Sequence, residues 1–295
     1  MPEITPELLK QVKQIDLRTR GLVATLFAGE YRSVFRGQGM EFAEVRAYEF
    51  GDDYRSIDWN VSARLGSPYV KTFTEERELT LMLVVDRSGS TDFGEPQSKA
   101  ALAVEVAAVL ALAAAWHNDR VGALLFADKV ERVVPPAKGR RHALRVIRDV
   151  LASRPEGRRT NLGAALTYAA DLISHRAIVV VLSDFLADGW ERPLRQLASR
   201  HDVVAVTVDD PRERVLPEGG WVEFEDLETG ARRLVDLGAT GIRRQASLEA
   251  TRRADERRRI LGAAGVDVVP LVTGEDYGLP LRRAFALRAR RLHRG

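Results

Sequence analysis

The chain contains no cysteine among its 295 residues, and that absence removes several kinds of chemistry at once. Disulfides, thiolate metal sites and a cysteine nucleophile are all excluded, and a reducing cytoplasm is compatible. Its five histidines, His117, His142, His175, His201 and His293, are scattered without metal-ligand spacing. The chain has no phosphate-binding loop of the Gly-x-x-x-x-Gly-Lys type and no Gly-x-Ser-x-Gly elbow. One-signed charge is also missing: 45 basic residues against 42 acidic ones leave a net charge of +3, too little for a global nucleic-acid field. No apolar run is long enough to span a bilayer. The nearest, Ala101 to Trp116, includes Glu105 and falls short of the roughly 20 residues a span requires. It reads as a core helix, and no transmembrane segment is expected. The polar start, Met1 to Lys10, does not read as a signal peptide. Internal repeats and low-complexity tracts are absent. A cytoplasmic globular protein is the expectation.

What is present is an alternation of strands and helices from about residue 79 onward. Leu79 to Asp86, Arg120 to Ala127, Val130 to Val134, Ala177 to Leu182, Val203 to Val208 and Val266 to Val272 read as strands. Pro135-Pro136 is expected to end the third of them. Gln97 to Trp116, Gly139 to Ala152, Leu162 to Ser174, Trp190 to Arg200, Thr240 to Gly262 and Tyr277 to Arg291 read as helices. This order predicts an α/β fold: a doubly wound, mostly parallel sheet with helices on both faces. Three parts are expected. Residues 1–78 form an N-terminal extension packed on the core, with a helix over about Glu7 to Phe27 and a glycine-rich turn at Gly37 and Gly39. Residues 79–275 form the sheet domain, with a β-hairpin insertion near 211–237 turning around Glu228 to Ala231. Residues 276–295 form a basic C-terminal helix or tail.

In an open parallel sheet, ligands bind beyond the carboxyl ends of the strands. Three loops reach that edge. The first carries Asp86, Ser88 and Ser90, directly after the apolar run Leu81 to Val85. The second is Arg159-Thr160-Asn161-Leu162-Gly163, entering a helix. The third is Ser183-Asp184-Phe185, directly after another buried strand. Ser88, Ser90 and Thr160 offer three hydroxyls and Asp86 and Asp184 two carboxylates, the hard oxygen donors that Mg²⁺ or a similar divalent ion such as Mn²⁺ selects. Uncharged hydroxyl ligands leave the ion with much of its positive character, which suits an acidic side chain from a partner.

The set Asp86-x-Ser88-x-Ser90, Thr160 and Asp184 resembles the metal-ion-dependent adhesion site of von Willebrand factor type A domains, in residue type and order. The resemblance covers roughly Leu79 to Val208 and implies a Rossmann-like fold, Mg²⁺ at these five residues, and binding of a protein that offers an Asp or Glu. The segment Arg46-Ala47-Tyr48-Glu49-Phe50-Gly51-Asp52-Asp53-Tyr54-Arg55-Ser56-Ile57-Asp58-Trp59, followed by Ser62-Ala63-Arg64, resembles the signature of the bacterial domain-of-unknown-function 58 family. That family pairs such a segment with a von Willebrand A-like domain, and the resemblance implies a MoxR-type AAA+ ATPase as partner.

Simpler roles compete at several positions. Asp86, Asp184 and Thr160 also suit loop or helix caps. Arg46, Arg55 and Arg64 lie near Asp52, Asp53 and Asp58, so Arg–Asp bracing is the expected role of that segment, and Tyr48 and Trp59 read as packing residues. The arginines between Arg243 and Arg259 read as a solvated helix face rather than a nucleic-acid surface, because acidic residues interrupt them and the helix has no aromatics. The expected function is therefore a non-enzymatic, Mg²⁺-dependent binding module. The alternative is an Mg²⁺-dependent phosphatase or phosphotransferase with Asp86 as nucleophile. Ser88 argues against it, standing where such enzymes often carry a second carboxylate.

Overall fold

In the computed structural model the described residues are 6–27, 41–74, 79–94, 96–238 and 240–292. They group into two compact units. The larger joins residues 1–34 to 80–295, and the smaller spans Phe35–Leu79.

The larger unit is a six-stranded sheet in the order β10-β7-β6-β3-β4-β5. Its strands are β3 (Thr80–Asp86), β4 (Arg120–Phe126), β5 (Val130–Ala137), β6 (Ile178–Ser183), β7 (Asp202–Asp209) and β10 (Asp267–Val272). All neighbours are parallel except β5, an antiparallel edge strand. The central strands are apolar on both faces because helices cover both. Met82 and Val84 of β3 pack with Val179 and Val181 of β6 against α5 (Leu162–Leu172) and α6 (Glu191–Arg200). Leu81, Leu83 and Val85 alternate to the opposite face and are equally buried. There α3 (Lys99–Trp116) crosses β3, β4, β6 and β7, with α4 (Arg140–Leu151) beside it.

Helix α3 is long and apolar enough by composition alone to cross a membrane, and 78% of it is buried within the protein. It is a core helix with burial all round, which is why its hydrophobicity lacks a preferred face. Strand β5 continues through Pro135 and Pro136, contrary to the expectation that they end it. An edge strand tolerates proline because one side of its backbone needs no ladder partner. Gly122 of β4 makes room, since a Cβ there would stand 2.9 Å from the Pro136 nitrogen.

Helix α1 (Pro6–Phe27) belongs to this larger unit, not with the signature segment, as the grouping of residues 1–78 had it. Leu8, Val12, Ile15 and Val23 make a helical stripe buried against α3 and α4, and Arg140 pairs with Asp16 at 2.6 Å. Helix α8 (Gly278–Leu292) buries Leu281 and Phe285. The residues after Leu292, and the turn at Gly37 and Gly39, lie outside the described residues.

The smaller unit holds β1 (Glu41–Ala47) and β2 (Tyr69–Thr74), paired antiparallel, and the short helix α2 (Trp59–Leu65). Asp58 caps α2 by accepting from the Asn60 and Val61 amides and pairs with Lys71 at 3.1 Å. Arg46 pairs with Asp52 at 2.7 Å. Among the described residues, bracing includes the Arg46–Asp52 and Lys71–Asp58 pairs. Trp59, the first residue of α2, does not pack as expected: it is 70% exposed.

Candidate functional site

Parallel register places the ends of β3, β6, β7 and β10 along one edge. Val85 is paired with Leu182, Ser183 with Thr207, and Val272 with Asp209. Asp86 is the last residue of β3 and 1% exposed. Both of its oxygens are engaged. Oδ1 accepts from the Ser88 amide at 2.9 Å and from the Ser88 hydroxyl at 2.6 Å. Oδ2 accepts from the Ser183 hydroxyl at 2.7 Å. The Ser88 and Ser90 hydroxyl oxygens are 3.1 Å apart.

The loop after β6 is equally constrained. Ser183 Oγ accepts from the Phe185 amide, and Asp184 Oδ1 accepts from the Leu186 amide, both at 3.1 Å. Phe185 adopts a φ of 55°, a conformation costing a non-glycine residue about 1–3 kcal/mol. Its ring, edge-on to Trp190 at 5.2 Å between centroids, is buried and helps hold the turn. Asp184 Oδ2 accepts from Lys99 Nζ at 2.7 Å, and Lys99 also donates to Glu213 at 2.6 Å. The Lys99 side chain is 1% exposed and that of Asp184 2%.

Thr160 reaches the same edge by a different route. The Asn161 amide donates to the Ala127 carbonyl at 2.7 Å, fixing this loop beyond the end of β4, and Asn161 Oδ1 caps α5 through the Ala164 amide. The Gly89 amide donates to the Arg158 carbonyl at 2.7 Å, joining the first and second loops. The Thr160 hydroxyl donates to Glu228 Oε1 at 2.5 Å. Asp86, Ser88, Ser90 and Ser183 thus form one hydrogen-bonded cluster, with Asp184 next along the chain and Thr160 on the loop bonded to its rim.

The electrostatics are strained on the acid side. Burial, then the charge of Asp184, pushes the Asp86 carboxyl up to about 6, against the hydrogen bonds from Ser88 and Ser183. Burial alone would lower the Lys99 ammonium, but Asp184 and Glu213 outweigh it and leave its pKa raised. Lys99 therefore offsets one of the carboxylates, and among the described residues the hydrogen bonds to the Asp86 carboxylate come from Ser88 and Ser183.

The donor chemistry fits a small divalent cation. Among the described residues no group of three or more His, Cys, Asp or Glu could hold a metal, and the hydroxyls of Ser88, Ser90 and Thr160 are the other hard oxygen donors at this edge. Two oxygens on adjacent vertices of a magnesium octahedron stand about 3 Å apart, and the Ser88–Ser90 separation matches this.

Several residues at this edge escape a reading by motif. Lys99 is the lone cation at the head of an apolar helix, a contrast visible in the sequence. Arg257 of α7 (Thr240–Ala263) is buried rather than solvated, with Nη2 on both oxygens of Asp209 at 2.9 and 2.7 Å and Nη1 on the Asp184 carbonyl. Its neighbours Arg252, Arg253, Arg258 and Arg259 are exposed, so nothing in the local pattern distinguishes it. Glu228, in the turn of a hairpin, carries no local signal at all.

Comparison with known proteins locates the chain among relatives. The family described as protein of unknown function DUF58 matches residues 44–257. An uncharacterised protein of Mycobacterium tuberculosis strain H37Rv is 34% identical over 289 residues, covering 97% of this chain and 91% of the relative. An uncharacterised protein of Mycobacterium bovis matches with the same values. Among solved structures, an aerotolerance-related membrane protein from Bacteroides fragilis aligns over 72% of this chain and 99% of that one, at 18% identity and a TM-score of 0.47. The conserved hypothetical protein BatB from Bacteroides thetaiotaomicron has the same coverage, with 15% identity and a TM-score of 0.45. By its sequence, and over most of its length, the chain belongs to the DUF58 family of proteins of unknown function.

Proposed function

We propose that this protein is a non-enzymatic binding module with a von Willebrand A-like, Rossmann-type sheet, whose adhesion site uses Mg²⁺ or Mn²⁺ to engage an Asp or Glu on a protein partner. Ser88, Ser90 and Thr160 would hold the ion through their hydroxyls, with Asp86 and Asp184 behind them. Bound there, the ion supplies an electrophilic centre for a carboxylate.

The observation that carries this reading is the locked Asp86–Ser88–Ser90 loop, with its two hydroxyls at the spacing of adjacent octahedral vertices. Lys99 strengthens it by offsetting Asp184, so the carboxylates do not fully neutralise an ion at the rim. The alternative, phosphoryl transfer from a nucleophilic Asp86, is disfavoured by the same geometry. A nucleophile must reach its substrate, and Asp86 is 1% exposed with a neighbouring hydroxyl on each oxygen. By family resemblance, this cytoplasmic module works with a MoxR-type AAA+ ATPase, in assembling or activating protein complexes.

The test is capture of a MoxR-type ATPase, and of acidic partner proteins, by the immobilised full chain in Mg²⁺ or in chelator. Capture that requires Mg²⁺ and is lost in Asp86→Ala is the expected result. Capture unaffected by either change would remove the adhesion mechanism. Hydrolysis of simple phosphate esters that disappears in Asp86→Asn would establish the enzyme reading instead.

A further inference from the structure

The hairpin of β8 (Trp221–Glu225) and β9 (Arg232–Asp236) ends in a turn that meets the candidate metal loops directly. Asp226 Oδ1 accepts from the amides of Glu228 at 2.8 Å and Thr229 at 3.1 Å. The Gly230 amide donates to the Asp226 carbonyl at 2.7 Å, with Gly230 at a φ of 71°. These bonds preorganise the tip and aim Glu228 at Thr160. A second contact is independent of that hydrogen bond. A Cβ on Gly89 would stand 2.4 Å from the Leu227 carbonyl oxygen, so the hairpin backbone rests on the glycine between Ser88 and Ser90.

We infer that Glu228 is the chain's own carboxylate ligand for the cation at Ser88, Ser90 and Thr160, standing where a partner's acidic side chain would bind. This rests on the metal reading of the site. Electrostatics favours it over a role as a simple cap for Thr160. The tip brings a further carboxylate toward Asp86 and Asp184, and Lys99, the buried ammonium on the Asp184 carboxylate, is already shared with Glu213. A hydroxyl at this half-buried rim could bond to water at no such electrostatic cost. A cation held by the hydroxyls would attract the Glu228 carboxylate directly.

The hairpin is built to yield the position. Trp221 and Leu234 are 69% and 60% exposed, and Gly219, Gly220 and Gly238 flank its two strands. A competing carboxylate therefore displaces the tip without unpacking the sheet. The partner this selects is a protein with an exposed acidic side chain that outcompetes a tethered glutamate.

The experiment titrates Mn²⁺ into the full chain by calorimetry, comparing the native protein with Ser90→Ala, Glu228→Gln and Glu228→Ala, each with and without acetate. The expected results are saturable binding in the native protein, loss in Ser90→Ala, and about tenfold weaker binding in both Glu228 variants. Acetate should restore the affinity of Glu228→Ala and leave the native protein unchanged. Glu228→Gln keeps an oxygen for the Thr160 hydroxyl, so a capping role alone predicts native affinity there. That result would overturn the inference and leave the metal reading standing. A weakened variant that acetate does not restore would overturn the claim that the position accepts an external carboxylate. No binding by the native protein, or binding indifferent to Ser90→Ala, would overturn the metal reading and the inference together.

Discussion

Replacing Lys99 by methionine should be among the most damaging single changes at the sheet edge. The ammonium sits in a site 1% exposed, 2.7 Å from Asp184 and 2.6 Å from Glu213. Methionine matches the stem but leaves the Asp184 carboxylate buried, with the Leu186 amide on its other oxygen and a second carboxylate, Asp86, nearby. Breaking a buried pair from one side typically costs about 3–5 kcal/mol. In a chain of this size that corresponds to a fall in Tm of roughly 10 °C. The partly exposed Glu213 adds little, because water can solvate it. The assay is urea and thermal unfolding followed by circular dichroism at pH 7.5 in chelator. The double variant Lys99→Met with Asp184→Asn should recover most of the loss, since residue 184 then carries no buried unpaired charge. The sign of the pH dependence follows from the raised ammonium pKa. The contribution is complete below the ordinary lysine value of 10.5 and is lost only as pH rises through the higher folded value. A single variant within about 1 kcal/mol of the native protein would refute the reasoning, as would two changes that simply add.

Three further outcomes are expected. Asp86 has a folded pKa of about 6 against an ordinary 3.8, so in chelator its contribution to stability is full below the lower value and disappears as pH rises through the upper one. Unfolding of the native protein from pH 3 to pH 8 should show that loss, Asp86→Asn should lack it, and an unchanged slope in the variant would refute the assignment. Gly89→Ala drives a methyl against the Leu227 and Arg158 carbonyl oxygens and should cost about 1–3 kcal/mol. It should also speed proteolysis between residues 226 and 233, and a hairpin cut no faster than in the native protein would show that the tip does not rest there. Arg257→Met leaves Asp209 with Arg214 alone and should lower stability by about 3 kcal/mol in denaturant titration, whereas Arg258→Met, on the exposed face, should be neutral.

The contrast between Arg257 and Arg258 marks where local pattern loses its reach. Strands β3, β6 and β7 are continuous apolar runs, and burial on both faces is the only stable use of such runs, so their place in a parallel sheet is legible from composition. Helix α3 is legible for the same reason. Asp86, Ser88 and Ser90 are legible because spacing within one turn is a local property, and strand-end topology then brings Asp184 and the Thr160 loop to the same edge. Trp59, by contrast, was expected to pack and is exposed.

The sequence by itself therefore determined the class of the fold, the edge at which chemistry gathers and the hard-oxygen character of the cluster, since these depend on periodicity and short spacing. Only the tertiary structure decided that Lys99 offsets Asp184, that Ser183 holds the far oxygen of Asp86, and that Glu228 meets Thr160. These contacts join residues 85, 97 and 68 positions apart. Their partners are chosen by how strands and loops are brought together in space, and no local preference of the chain encodes that choice.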